Sequence, residues 1–228
     1  MRVDIWSDVV CPFCYIAKKR LDAAAEESGV ELEVFWHSYQ LDADAPARQQ
    51  ISNTERLAQK YGRSIEDVEE MQRNIAEMAK AEGIEFNWQT ANSGNTFNAH
   101  RLIHLAQSKG LGNEAKEAFF FSYMTQGLPI GERETLEDVA SRIGLNPVEV
   151  DDLLNSDEYA DFVKYDEEVA REQLKVTGVP FFVFEQRIAL AGAQPKEVFM
   201  QVIEKAQTLP EQPPAPVCAD DSCDVPEK

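Results

Sequence analysis

Apolar positions along the chain change their period as they go. Val3, Ile5 and Val9, with Trp6, make a short apolar opening of the kind a buried strand presents. From Pro12 to Ser28 the pattern is helical: Tyr15, Ile16, Lys19, Leu21 and Ala23 to Ala25 favour a helix that Gly29 can end. Pro12 sits in the first turn, where a helix tolerates proline. Val30 to His37 then alternates and predicts a second strand. Val30, Leu32, Val34 and Trp36 fall on one face, and Glu31, Glu33, Phe35 and His37 on the other.

From about Leu41 to Leu174 the chain is charged, low in glycine and rich in helix starts. Ser52-Asn53-Thr54-Glu55 and Asn146-Pro147-Val148-Glu149 read as capped beginnings. Ile65, Val68, Met71, Ile75 and Met78 form an amphipathic stripe. Further helices are predicted around Phe97 to Leu105, Phe119 to Met124, Leu136 to Ile143 and Val150 to Leu154, with a longer one over Tyr159 to Leu174. Strand character returns in Val179-Pro180-Phe181-Phe182-Val183-Phe184 and, after Glu185-Gln186, in Arg187 to Ala191, as a hairpin would give. Gly192-Ala193-Gln194 breaks the pattern, and Pro195 to Gln207 is a last helix facing inward through Val198, Phe199, Val202 and Ile203. The expected class is α/β: residues 1–40 and 172–208 form one unit, split by an all-helical insertion over 41–171. Residues 209–228, with Pro210, Pro213, Pro214 and Pro216 before an acidic stretch, are expected to be an extended, flexible tail.

Composition narrows the function. The chain has 228 residues, of which 43% are hydrophobic, enough for a sizeable core. A formal net charge of -19 repels phosphate backbones and anionic membranes, so nucleic acid and membrane are set aside as partners. No apolar run approaches the roughly 18 residues of a membrane span, and Met1 to Val10 carry Asp4 and Asp8 rather than the features of a secretory signal. The expected compartment is the cytoplasm, where cysteines stay mostly reduced and disulfides tend to be transient and catalytic.

That makes Cys11-Pro12-Phe13-Cys14 the chemical focus. The thiolate is the nucleophile, and a cysteine at a helix N-terminus lies beside unpaired N–H groups and the positive end of the dipole. A strand-to-helix junction is expected to expose Cys11 and to turn Cys14 inward, nearly one turn later. Cys11 would then form a mixed disulfide, and Cys14 would resolve it. Pro12 stiffens the turn and, with Phe13, is a candidate substrate contact. A CxxC can also be half of a zinc site. The other half would be Cys218 and Cys223, whose gap falls within zinc-site spacings; no metal is expected.

Asp8-Val9-Val10-Cys11-Pro12-Phe13-Cys14, Val179-Pro180-Phe181-Phe182 and Gly192-Ala193-Gln194 together resemble the DsbA family of the thioredoxin superfamily, and within it the FrnE-like branch. The resemblance runs from Met1 to about Gln207. It implies a thioredoxin-like fold with a helical insertion and a thiol–disulfide oxidoreductase or isomerase activity. Cys11 is similar to the family's nucleophile, Cys14 to its resolving cysteine and Pro180 to its cis-proline. Val179 is similar to the residue whose backbone pairs with an extended substrate. Relatives with histidine at the place of Phe13 are strong oxidants, so Cys11 is expected to be less acidic here and the couple less oxidising. Asn95-Thr96-Phe97-Asn98-Ala99-His100-Arg101-Leu102 also resembles a segment near the active site in this branch, although core residues and a capped helix start explain it as well. His100 and His104 have a spacing that metal sites use; ordinary helix positions are the expectation.

The tail departs from the family. Cys218 and Cys223 could form a second redox pair, and a proline-rich run extending by about 3.1 Å per residue could carry it over roughly 25 Å to the first pair; incidental thiols are the alternative. The expected substrates are thiol- or disulfide-containing proteins or small molecules, with no bound cofactor beyond glutathione as a co-substrate. The competing functions are a glutathione-dependent isomerase of the same fold, which usually carries serine where Cys11 stands, and a chaperone or metal-binding protein. Oligomeric state is not readable from the sequence.

Overall fold

The computed structural model describes residues 1–210. Four strands form one mixed sheet in the order β2-β1-β3-β4: β1 (Arg2–Ser7), β2 (Glu33–Ser38), β3 (Phe181–Phe184) and β4 (Ile188–Ala191). β1 and β2 are parallel and joined by α1 (Pro12–Ser28), whereas β3 pairs antiparallel with both β1 and β4. The β3–β4 turn uses Glu185 and Gln186, both at positive φ. After β4 comes α9 (Lys196–Gln207), which packs beside α1.

Between β2 and β3 the chain forms α2 (Asn53–Tyr61), α3 (Ile65–Ala81), α4 (Phe97–Ser108), α5 (Gly112–Met124), α6 (Arg133–Arg142), α7 (Pro147–Leu154) and α8 (Ala160–Glu168). Local chemistry accounts for many of the boundaries. Ser52 and Glu55 close a reciprocal capping box on α2, Ser64 caps α3, and Asn146 with Pro147 begins α7. Gly29 ends α1 in the left-handed region at φ 64.

Several expectations need correction. β2 starts only at Glu33, whose N–H bonds the Met1 carbonyl, so Val30 and Leu32 belong to the connection. Ile65 and Met78, the ends of the α3 stripe, are exposed, while Val68 and Ile75 are buried. The long helix over Tyr159 to Leu174 is interrupted: α8 passes into a π-helical turn at Val169–Gln173.

The sheet's two faces do different work. Val3 and Ile5 share a core with Phe182, Phe184 and, from α9, Phe199 and Ile203. Alternation puts Asp4 and Trp6 on the opposite face, where Trp6 stacks on His37 at 4.4 Å between ring centroids. His37, on the face opposite Trp36 as the alternation expects, lies between two carboxylates, with Nδ1 2.7 Å from Asp166 and Nε2 2.9 Å from Asp4. Asp166 also accepts from the Ser38 N–H and sits 3.0 Å from His104. One carboxylate on α8 thus ties the helices to β2. On the same strand the Gln107 side chain accepts from the Trp36 N–H at 2.7 Å, so the insertion also covers an edge that would otherwise offer itself for pairing.

This network gives stability a pH dependence. Burial pushes His37 down, but hydrogen bonds to Asp166 and Asp4 outweigh it and hold its pKa at about 9. A raised folded pKa stabilises fully below the unfolded value, near 6.5, and that contribution is lost as pH rises through about 9. The unfolding free energy from urea titration is therefore expected to fall across this window, by about 2 kcal/mol after allowing for partial solvent exposure. The fall should be largely absent in His37→Gln; an equal fall in that variant would remove the imidazolium as its source.

Candidate active site

The site forms where β1 hands over to α1. After Ser7 the chain turns through Asp8, Val9 and Val10, with the Cys11 N–H on the Asp8 carbonyl at 3.2 Å. Cys11 is the N-cap of α1 in extended conformation, Pro12 is its first residue, and the Cys14 N–H bonds the Cys11 carbonyl at 3.1 Å. The helix has no acidic residue in its first turn to oppose an anion there. Opposite stands the start of β3. The Val179–Pro180 bond is cis, and the Cys11 Sγ–H donates to the Val179 carbonyl at 3.7 Å. Cys11, Cys14, Pro12, Val179 and Pro180 therefore meet in one place, while the Phe13 side chain points outward, exposed. Cys218 and Cys223 lie outside the described residues.

The exposed Cys11 expected from the strand–helix junction is not found. Cys11 is only 4% exposed and Cys14 2%; both are reduced. The two thiols are also shifted in opposite directions. The Cys11 thiol is pushed well up, first by its hydrogen bond to Cys14 and then by burial, with the Asp8 carboxylate adding to both. Burial pushes Cys14 up as well, but the neighbouring Cys11 and Ser7 side chains and the Lys116 ammonium outweigh it, and its thiol is shifted below its ordinary value. These surroundings disfavour an anion on Cys11 more than one on Cys14.

The cause is a charge cluster drawn from distant segments. Lys116, on α5, is fully buried; its Nζ donates to the Ser7 carbonyl at 3.1 Å and lies 5.1 Å from the centre of the Trp36 ring. Burial brings Lys116 down to about 8, against the pull of Cys14, Asp8, Cys11 and Asp166. Asp8 accepts from the Leu41 N–H at 2.8 Å, and its other oxygen lies 3.4 Å from His100 Nε2 on α4. Burial lowers His100, so Asp8 is faced by a neutral ring. His100 and His104 are thus buried partners of Asp8 and Asp166 rather than ordinary helix positions. Among the described residues, no group of three or more His, Cys, Asp or Glu side chains is arranged to hold a metal.

Sequence reasoning missed Lys116, Asp8 and His100 as members of the site. Asp8 was within view, three residues before Cys11. Lys116 gave no signal, since a lysine between Glu114 and Glu117 in the first turns of a helix reads as solvated.

Beside Cys11 a cleft of about 190 Å³ runs under the insertion, with Val10, Phe13, Leu57, Met71, Ile75 and Phe86 among its apolar walls and Arg56 and Lys60 among its polar ones. Gly94 is required at its rim: a Cβ there would lie 2.1 Å from the Ala47 carbonyl oxygen.

The chain matches the DSBA-like thioredoxin domain family over residues 2–204. A probable DsbA oxidoreductase from Streptomyces coelicolor, SCO1869, is 35% identical, with a TM-score of 0.85 and 100% of both chains covered. The cytosolic disulfide reductase DsbM from Pseudomonas aeruginosa, in a structure with GSH, shares the fold: it is 18% identical, with a TM-score of 0.66 over 92% of this chain and 100% of that one. The uncharacterized protein YwbO of Bacillus subtilis is 24% identical over 209 residues, 91% of this chain and 98% of its own.

If Lys116 is the counter-charge of the inner sulfur, Lys116→Met should raise the Cys14 thiol pKa by about one unit. Ultraviolet thiolate absorbance in a background with Cys11, Cys218 and Cys223 all replaced by serine reads Cys14 alone. A folded variant with an unchanged titration would show that the lysine serves packing only.

Proposed function

The chain belongs to the DSBA-like thioredoxin domain family and is a thiol–disulfide oxidoreductase; on that premise we propose that Cys11 and Cys14 are its redox couple, with Cys11 attacking and Cys14 resolving. The observation that carries this reading is the placement of two reduced cysteines at the start of α1, with the Cys11 thiol across from the Val179 carbonyl.

The shared proton gives the order of events. As Cys11 attacks a substrate disulfide, its proton passes to the Cys14 thiolate. A Cys11–substrate bond forms, the substrate S–S bond breaks, and one half leaves as a thiolate. Cys14 then attacks Cys11 Sγ and gives its proton to the departing sulfur. The couple becomes a disulfide and the substrate is reduced by two electrons; run backwards, the same steps oxidise a dithiol. Pro12 and Phe13 would border the incoming substrate, and the Val179 carbonyl, which Cys11 releases on attack, would be free to accept from an extended substrate's N–H. Cytoplasmic placement is proposed from the reduced cysteines that such a cycle needs. A low-molecular-weight thiol, of the class of the GSH present in the structure of the Pseudomonas aeruginosa reductase, is proposed as the partner that returns the couple to its reduced state.

Cys11→Ser is expected to lower insulin-disulfide reduction by roughly a hundredfold or more. Cys14→Ser should still attack and should accumulate a mixed disulfide visible by mass. Full activity of Cys11→Ser would overturn the assignment. The relay through Cys218 and Cys223 is a separable proposal. Replacing both with serine should leave single-turnover attack by Cys11 unchanged and slow only repeated turnover; unchanged repeated turnover would dispose of it.

A further inference from the structure

The cleft beside Cys11 is built for a ligand of a particular kind. Its walls are mostly side chains of α2 and α3 and of the segment leading into α4, with Phe13 at the other side. Polar groups inside it are few, and several have no partner among the described residues: Gln72 Oε1, Thr96 Oγ1 and Arg56 Nε. Gln72 and Thr96 are almost fully buried. The Gln72 amide N–H donates to Thr54 Oγ1 at 2.8 Å, which fixes the orientation of the side chain and leaves its carbonyl oxygen unpaired. Buried polar groups without partners cost stability unless something binds there.

Charge sharpens the picture. The chain carries a formal net charge of -19, yet Arg56 and Lys60 both line this cleft. Arg56 donates to Asn53 Oδ1 at 3.0 Å and lies 3.7 Å from Asp42, a loose pairing that leaves donor capacity. The acidic groups bordering the cleft are Asp42 and Asp8; Asp8 Oδ2 accepts from the Leu41 N–H, and its buried Oδ1 faces His100 Nε2 at 3.4 Å without a hydrogen bond. Cys11 lines the cleft too, although its residue is nearly closed to bulk solvent. A narrow molecule entering the cleft reaches the sulfur more readily than the disulfide of a folded protein does.

We propose that this cleft is a binding site for a small-molecule disulfide with an apolar body and a carboxylate, the carboxylate held by Arg56 and Lys60 and the sulfur presented to Cys11. The inference rests on Cys11 being the attacking sulfur and adds the substrate class. Gln72 Oε1 accepts from, and Thr96 Oγ1 bonds to, a polar group along the body. Cys11 bonds to one ligand sulfur as the ligand S–S bond breaks and the first half leaves as a thiolate. Cys14 then closes the enzyme disulfide and releases the second half, so the ligand gains the two electrons the couple loses. A dithiol such as dithiothreitol restores the couple in the assay.

The test uses the full-length reduced chain in single turnovers with three disulfides: that of para-mercaptobenzoate, its uncharged diamide, and oxidised glutathione. The dicarboxylate is expected to half-saturate at a concentration about tenfold or more below the other two. Arg56→Gln should raise that concentration about tenfold for the dicarboxylate and leave the diamide unmoved; Lys60→Gln, at a more exposed position, is the second variant should the first fail to fold. Equal half-saturation for dicarboxylate and diamide, or an equal effect of the variants on both, overturns the proposal. Cys11-dependent equilibration with oxidised dithiothreitol is followed in parallel. If it is intact, such a failure belongs to this inference alone; if it is absent too, the assignment of Cys11 falls with it.

Discussion

A sulfur anion taken out of water has to be answered by charge and hydrogen bonds, and here the answer comes from Lys116. Its ammonium is fully buried, anchored on the Ser7 carbonyl at the end of β1 and laid against the Trp36 ring. Without a nearby anion a lysine so placed would be costly; without the lysine, so would an anionic Cys14. Each makes the other tolerable. Because Lys116 stands on α5 and Cys14 on α1, the arrangement exists only when the helical insertion is docked on the sheet.

That docking is itself an electrostatic matter. Asp166 of α8 meets His37 and the Ser38 N–H on β2 and His104 on α4, and Trp6 donates its indole N–H to the Asp166 carbonyl at 3.0 Å. Arg101, on α4, donates to the Leu153, Ser156 and Glu158 carbonyls around the end of α7. Paired charges and charge-assisted bonds at the seam fix one orientation of helices against sheet more narrowly than apolar contact alone would. The seam ends at the redox pair and the cleft, so both are held to that orientation.

Burial of Cys11 has a double consequence. It removes the sulfur from bulk water, and it raises the cost of a thiolate on Cys11. In the proposed cycle, attack by Cys11 therefore passes its proton inward to Cys14. The cis Val179–Pro180 segment closes the other side of the sulfur, and the cleft under α2 and α3 leaves one apolar approach.

Much of this was readable in order. The short period near Val3 and Ile5, the helical run from Pro12 to a glycine able to take positive φ, and the aromatic strand at Phe181 are local consequences of side-chain shape and backbone preference. The capping residues at Ser52 and Asn146 likewise act over a single turn. Cys11-Pro12-Phe13-Cys14 carried its chemistry in its spacing. What could not be read were the partners brought from far away in sequence: Lys116 under Cys14, His100 against Asp8, Asp166 between His37 and His104, and the insertion that buries Cys11. Periodicity says which face of an element is apolar, but it does not say which neighbour will cover that face. A charged residue on a helix looks solvated until folding removes the water around it. The sequence by itself determined the elements, the split of the α/β unit and the sulfur pair; only the tertiary structure decided which charged groups face each sulfur, because that depends on through-space distances to groups the chain keeps about a hundred residues apart.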